Sequence, residues 1–300
     1  MITLAYLNFW EDPNNDDYFT IFIEKNIGKV ILVNYNENPD ILISSVNGDI
    51  YKIKNINAKC KLFFYGENLH KYPPYNNDAL LYEIFDLIVG FKETNLNKKQ
   101  IRFPLWLIYY KYYNYDKTDN ILTYIQNKYS ENINKTKKTM FCSIIARHDM
   151  GGQRSLICNK LSKYGKIWAP SYFLKNTNSI GNKLEDKINF ISKGIYTVCP
   201  ENSCYEKYFT EKIFHAFEGG TIPLYWGINY PEEEIINKNK YCFCDIQNVD
   251  NLEQQIKDLI QNPEKYLLGN IFKDDAGIYI NNFYTSLTDQ IIACLTNSKD

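Results

Sequence analysis

Apolar residues in the first third of the chain fall in short dense runs separated by amphipathic stretches. Runs at residues 3–9, 29–33, 41–44, 62–65 and 87–91 have the length of buried strands, and residues 17–25 and 78–85 have helical spacing. Strands of this kind alternating with helices predict a mostly parallel sheet covered on both faces. Residues 111–138 are polar and rich in Asn and Lys, with little apolar periodicity beyond Ile121 and Ile125, and are the best linker candidate. The pattern then restarts. Strands are predicted at 140–146, 165–169, 195–199, 221–226 and 241–245, and helices at 153–163, 183–192, 252–259 and 276–294. Two successive α/β units follow, 1–137 and 138–300, with the last helix free to pack back on the first unit. In such sheets ligands bind beyond the carboxyl ends of the strands, so residues just after strands carry the chemical interest.

A chain of 300 residues suits two domains of about 130–160 residues. Its 34 basic and 35 acidic residues leave no basic field for a nucleic-acid backbone, which argues against a nucleic-acid reader. The start of the chain, Met-Ile-Thr-Leu-Ala-Tyr-Leu, reads as a first strand with no basic signal-peptide region. No apolar run approaches the ~20 residues that cross a bilayer. A soluble, cytoplasmic protein without a transmembrane segment is the expectation. The eight cysteines are scattered and lack paired metal-ligand spacing, so they read as reduced, buried apolar groups. The three histidines, His70, His148 and His215, form no ligand pair.

Three local clusters suggest chemistry. The run IYTVCPENSCYEKYFTEKIFHAFEGGTIPLYWG, from Ile195 to Gly227, reads as strand, polar loop, short helix and strand. Thr210 is the expected N-cap of the helix and Gly219-Gly220 its end. Lys212 in the first turn opposes the helix dipole, so either a bound anion offsets it or it pairs with Glu211 or Glu206. The second cluster holds two of only three arginines, Arg147 and Arg154, in a Gly-containing loop after a strand. Arg there offers a bidentate fork for phosphate, or caps a helix on the surface. The third is Phe64-Tyr-Gly-Glu-Asn68, which places Glu67 just past a strand end, as a cleft carboxylate or an ordinary exposed one.

Together these clusters resemble the α-1,3/α-1,4-fucosyltransferases of bacterial and viral type. The matching strings are ENSCYEKYFTEK followed by IPLYWG, and upstream FFYGEN, DLIVGF and IRFPLW. The resemblance implies a GT-B fold, two Rossmann-like domains facing across a cleft, with the acceptor on the first and GDP-fucose on the second. It implies inverting transfer of L-fucose to a glycan hydroxyl, with N-acetylglucosamine of a lactosamine-type sugar as acceptor. Carried onto this chain, it makes Glu67 the general base and Arg154, Asn202, Tyr208, Glu211 and Lys212 donor contacts. If Glu67 is not the base, Glu11 and Asp12 are the next acids to consider. No Asp-x-Asp pair occurs, so no metal and no cofactor are expected. A GT-B enzyme using another sugar nucleotide, or an inactive sugar-nucleotide or glycan binder, would share the anion site. The chain departs from the family where Leu69 and His70 follow Asn68 in place of a second Glu and Ser-Pro. It departs again at Ile195, Pro200 and Glu206.

Overall fold

The computed structural model describes all residues except 11–13, 93–98, 111–117, 136, 150 and 297–300, with backbone alone at 118–120 and 135. Glu11 and Asp12 therefore lie outside the described residues. The chain forms two compact units. The first comprises residues 1–118, 203–209 and 278–300, and the second residues 119–202 and 210–277.

The first unit carries a six-stranded parallel sheet. Its strands are β1 (Ile2–Leu7), β2 (Val30–Leu32), β3 (Ile41–Ser44), β4 (Cys60–Phe64), β5 (Leu87–Gly90) and β6 (Gln100–Arg102), in the order β2-β1-β3-β4-β5-β6. β3 and β5 are buried at every residue, as expected of central strands covered on both faces. β6 was not foreseen. Only Ile101 of its three residues is apolar, and it lies at the sheet edge, where one neighbour suffices. Asp17 caps the helix Tyr18–Asn26 by accepting the N–H of Phe19, and Phe19, Phe22 and Ile23 bury its inner face.

The second unit carries a five-stranded parallel sheet. Its strands are β7 (Met140–Ile144), β8 (Ile167–Trp168), β9 (Gly194–Pro200), β10 (Ile222–Trp226) and β11 (Cys242–Phe243), in the order β11-β10-β9-β7-β8. Strand order reverses between β7 and β9, and between β1 and β3 in the first unit. These are the switch points where a doubly wound sheet opens a crevice for ligands.

Three expectations need correction. Within the linker candidate, residues 118–135 form a helix, Thr118–Lys135. Its apolar stripe is one residue wide, with Ile121, Ile125 and Tyr129 all buried, which is why a polar composition concealed it. Gly220 lies so close to this helix that an added Cβ would come within 2.7 Å of the Ile133 nitrogen, and its φ of 61° suits glycine. Second, the units divide near residue 118 and not at 137, and the first also takes in residues 203–209, while the last helix packs back on it as expected. The helix Ala276–Thr296 buries Ile280, Tyr284, Leu287 and Ile291, and Tyr284 lies 6.1 Å from the Phe22 ring and 5.9 Å from that of Phe103. Third, Cys60 and Cys294 are joined as a disulfide, their Cα atoms 5.5 Å apart, and Cys204 is exposed. The other five cysteines are free and buried, as read from the sequence. Among the described residues no helix is long and apolar enough to cross a membrane.

Candidate active site

In the first unit, β4 runs into Tyr65-Gly66-Glu67-Asn68. Gly66 is required by close packing, since a Cβ there would sit 2.4 Å from the Trp10 ring. Asn68 is buried and holds the turn at both ends. Its carbonyl oxygen accepts the N–H of His70 at 3.0 Å, and its amide donates to Ser203 Oγ at 2.7 Å. Glu67 is half-buried, and the Tyr208 hydroxyl lies 3.5 Å from its Oε2. Tyr208 is itself buried, edge-on to Phe91 at 4.9 Å. The structure thus brings Tyr208 to Glu67, in the first unit, although the sequence groups Tyr208 with the donor signature. Leu69, which stands where the family often has a second acid, is 5% exposed and fills the core.

The second cluster gathers at the carboxyl ends of β7 and β9, the switch point of the second unit. After β7 the chain turns through Gly152, whose φ of 76° opens the helix Gln153–Leu161. The Asp149 carboxylate takes up two free N–H groups at that helix start, Arg154 at 3.0 Å and Ser155 at 3.1 Å. Burial raises the Asp149 pKa, but its bonds with Ser155 and Arg154 outweigh this and hold it below the usual carboxylate range. Arg154 is 5% exposed. Its guanidinium donates to Asn202 Oδ1 at 2.9 Å and to the His148 carbonyl. Arg147, by contrast, is exposed.

After β9, Glu201 is fully buried. It accepts the Thr210 N–H at 2.9 Å, the Thr210 hydroxyl at 2.6 Å and the Tyr225 hydroxyl at 3.2 Å. This carboxylate captures both donors of Thr210, so Thr210 is not the helix cap expected from the sequence. The helix Lys212–Glu218 starts one residue later, with Glu211 at the N-cap. Lys212 donates to Thr210 Oγ1 at 3.0 Å and lies 3.6 Å from Glu201 and 3.8 Å from Glu211. It therefore does pair with Glu211, though in a largely buried setting. Glu206 pairs with Lys92 instead, at 3.6 Å.

Lys187 completes the group, 3.5 Å from Glu211 and 2.8 Å from His215 Nδ1. Burial pushes the Glu211 carboxyl up, but Lys212 and Lys187 outweigh it and depress the pKa to about 2. Burial likewise lowers the Lys212 pKa, while Glu211 and Glu201 more than restore its charged form. Burial raises the Glu201 pKa. Three basic side chains, Arg154, Lys187 and Lys212, thus meet three carboxylates, Asp149, Glu201 and Glu211; burial lowers the Lys187 pKa and raises that of Glu201, while Asp149 and Glu211 are held ionised. Glu201, Asp149 and Lys187 were not singled out in the sequence. Glu201 showed itself only as the polar residue ending a buried strand, and Lys187 gave no local signal. Among the described residues no group of three or more His, Cys, Asp or Glu side chains is placed to hold a metal.

Two doubly wound parallel sheets, one with a cluster of charged side chains at its switch point, define an α/β protein of the GT-B type. A family model described as the α-(1,3)-fucosyltransferase FucT N-terminal domain matches residues 4–109, and one for the C-terminal part of glycosyltransferase family 10 (fucosyltransferase) matches residues 134–287. The chain belongs to glycosyltransferase family 10, the fucosyltransferases. It is 23% identical over 293 residues to the α-(1,3)-fucosyltransferase FucT of Helicobacter pylori, which covers 89% of this chain and 59% of that one. The chain thus spans somewhat over half the length of this relative. Its fold is similar to a crystal structure of an α1,3-fucosyltransferase, with a TM-score of 0.74 at 20% identity over 99% of this chain and 91% of that one. It is also similar to a crystal structure of an α1,3-fucosyltransferase with GDP-fucose, with a TM-score of 0.69 at 20% identity over 100% of this chain and 91% of that one.

Proposed function

We propose that the protein transfers L-fucose from GDP-fucose to a hydroxyl of a glycan, with inversion at the anomeric carbon. The observation that carries this reading is the Arg154–Asn202 pair beside Lys212, at the ends of β7 and β9. A nucleoside diphosphate leaving group needs such cations where negative charge grows during the reaction. In the proposed mechanism Glu67 accepts the proton of the acceptor hydroxyl as its oxygen bonds to C1 of fucose. The bond from C1 to the phosphate oxygen breaks, and its electron pair leaves on GDP. Arg154 and Lys212 stabilise that charge. Glu211, ionised throughout the neutral range, accepts hydrogen bonds from sugar or ribose hydroxyls, and Asn202 holds the Arg154 fork in place. Tyr208 keeps Glu67 oriented. The H. pylori relative carries an α-(1,3) linkage in its name, and an α1,3-fucosyltransferase structure contains GDP-fucose. Both favour a fucose donor; the proposed acceptor, N-acetylglucosamine in a lactosamine-type sugar, rests on the resemblance of the sequence motifs alone. The cations take the place of a metal on the diphosphate.

Thermal protection tests the donor. GDP and GDP-fucose should raise the melting temperature by mass action, and UDP-galactose much less. Equal protection by UDP-galactose would overturn the fucose donor and leave a glycosyltransferase using another sugar nucleotide.

A further inference from the structure

Of the basic side chains in the cluster at the ends of β7 and β9, Lys187 is the one to which the proposed transfer gives no part. It stands on the helix Leu184–Ile191, and its ammonium reaches the start of the helix Lys212–Glu218. There it lies 3.5 Å from Glu211 Oε1 and 2.8 Å from His215 Nδ1. Glu211 and His215 are one turn apart, the His215 N–H donating to the Glu211 carbonyl at 2.9 Å, so their side chains share a face. One lysine from a neighbouring helix spans the pair.

The chemistry of each partner fixes what the contact does. His215 is buried, and that burial, reinforced by the charges of Lys187 and Lys212, holds its pKa well below the usual imidazole value. The ring is therefore neutral, and toward an ammonium it offers Nδ1 as an acceptor, with its hydrogen on Nε2. Lys187 thus has one bond that anchors it, to a buried ring, and one contact through which it acts, on a carboxylate. Lys212 approaches the same Glu211 oxygen at 3.8 Å, but it is the next residue in the chain and is itself tied to Thr210 at 3.0 Å and Glu201 at 3.6 Å. Lys187 is the fastening that comes from a separate element. With both ammoniums at Oε1, Oε2 is the oxygen left for a hydroxyl of the donor. A Glu side chain free to rotate would have to be ordered during binding, which weakens affinity, and a lysine that orders it beforehand removes that cost.

We propose that Lys187, braced by His215, is a positioning residue for donor recognition, holding the Glu211 carboxylate in the orientation that accepts hydroxyls of GDP-fucose. The inference rests on the proposed donor and adds to it a side chain that acts without touching substrate.

The test is calorimetric titration of the whole protein with GDP-fucose, comparing wild type with Lys187→Met, Glu211→Gln and the two combined. Lys187→Met keeps the length of the side chain and removes its N–H groups; Lys187→Gln carries the same cycle where the Met variant does not fold. Each single variant should weaken GDP-fucose about tenfold, as the loss of one hydrogen bond to a charged group implies. The combined variant should also lose about tenfold, and not the roughly hundredfold of independent residues, because Lys187 acts only through Glu211. Lys187→Arg, which keeps charge and donors, should stay within about threefold of wild type. A roughly hundredfold loss in the combined variant would overturn the inference and make Lys187 a direct ligand of the diphosphate. So would a Lys187→Met protein that melts lower but binds GDP-fucose as wild type does, since the lysine would then be structural alone. Titration needs no acceptor, which separates the two readings: a protein that binds GDP-fucose in the expected pattern but transfers nothing would overturn the transferase reading while bearing out the role of Lys187, and one that does not bind GDP-fucose would overturn both.

Discussion

Glu201→Ala is the perturbation whose consequence the structure defines most closely. The side chain is buried and accepts three hydrogen bonds, from the Thr210 N–H, the Thr210 hydroxyl and the Tyr225 hydroxyl, and it faces Lys212 at 3.6 Å. Truncation leaves three buried donors without an acceptor and removes one counter-charge from a buried ammonium. An orphaned buried group costs roughly 1–3 kcal/mol, and breaking a buried ion pair roughly 3–5 kcal/mol. These costs overlap because the same atoms are involved, so about 4 kcal/mol is a fair central value. For a unit of 150–250 residues that lowers Tm by about 8–16 °C. Glu201→Gln keeps the volume and one acceptor oxygen, so it should cost about half as much. Scanning calorimetry with and without GDP measures both. Because Glu201 orients Thr210 and Lys212, GDP protection should shrink along with the base Tm. A Glu201→Ala protein melting within about 2 °C of wild type, with full GDP protection, would refute the idea that this carboxylate organises the cluster.

Arg154→Lys keeps a charge but loses the fork shared between Asn202 and the His148 carbonyl, so GDP affinity should fall about 10- to 100-fold, while exposed Arg147→Ala should change it little; the opposite ranking in a GDP titration would mean the wrong arginine has been chosen. Glu211 has its pKa depressed from 4.5 to about 2, so its contribution, on the order of 3 kcal/mol, is complete above the unfolded value and is lost as pH falls toward 2. Acid unfolding of Glu211→Gln should therefore show a shallower loss of stability between pH 4.5 and 2 than wild type. Transfer should persist in EDTA, and complete loss restored only by Mn²⁺ would show that a metal takes part.

What the sequence revealed, and what it did not, follows from the range over which each signal acts. β3 lies at the predicted residues because four apolar residues in a row between polar turns admit little else. The helix starting at Gln153 was legible from its composition, and the placement of Arg154 after a strand was legible from order alone. The family resemblance made Arg154 and Asn202 separate donor contacts, and their hydrogen bond to each other across 48 residues was not foreseen. Lys187, Glu211 and His215 meet through packing of the helix Leu184–Ile191 against Lys212–Glu218, which no local pattern encodes. Thr210 shows how tertiary contacts override a local rule. It has the chemistry of an N-cap, but a buried carboxylate offers its donors a stronger acceptor. Helix Thr118–Lys135 was missed because a single line of Ile121, Ile125 and Tyr129 suffices to bury one face, and the mostly polar remainder of its 18 residues diluted that line.

Transfer of labelled fucose from GDP-fucose to N-acetyllactosamine, by wild type and by Glu67→Gln, tests the central claim most directly. Glu67 is half-buried and touches Tyr208 in the first unit, so the amide should preserve the fold. Wild type should form an α-linked product, and Glu67→Gln should lose roughly 10²–10⁴-fold in kcat with GDP affinity nearly unchanged. Near-wild-type transfer by Glu67→Gln would contradict Glu67 as the base, and absence of transfer by wild type would contradict the proposed reaction.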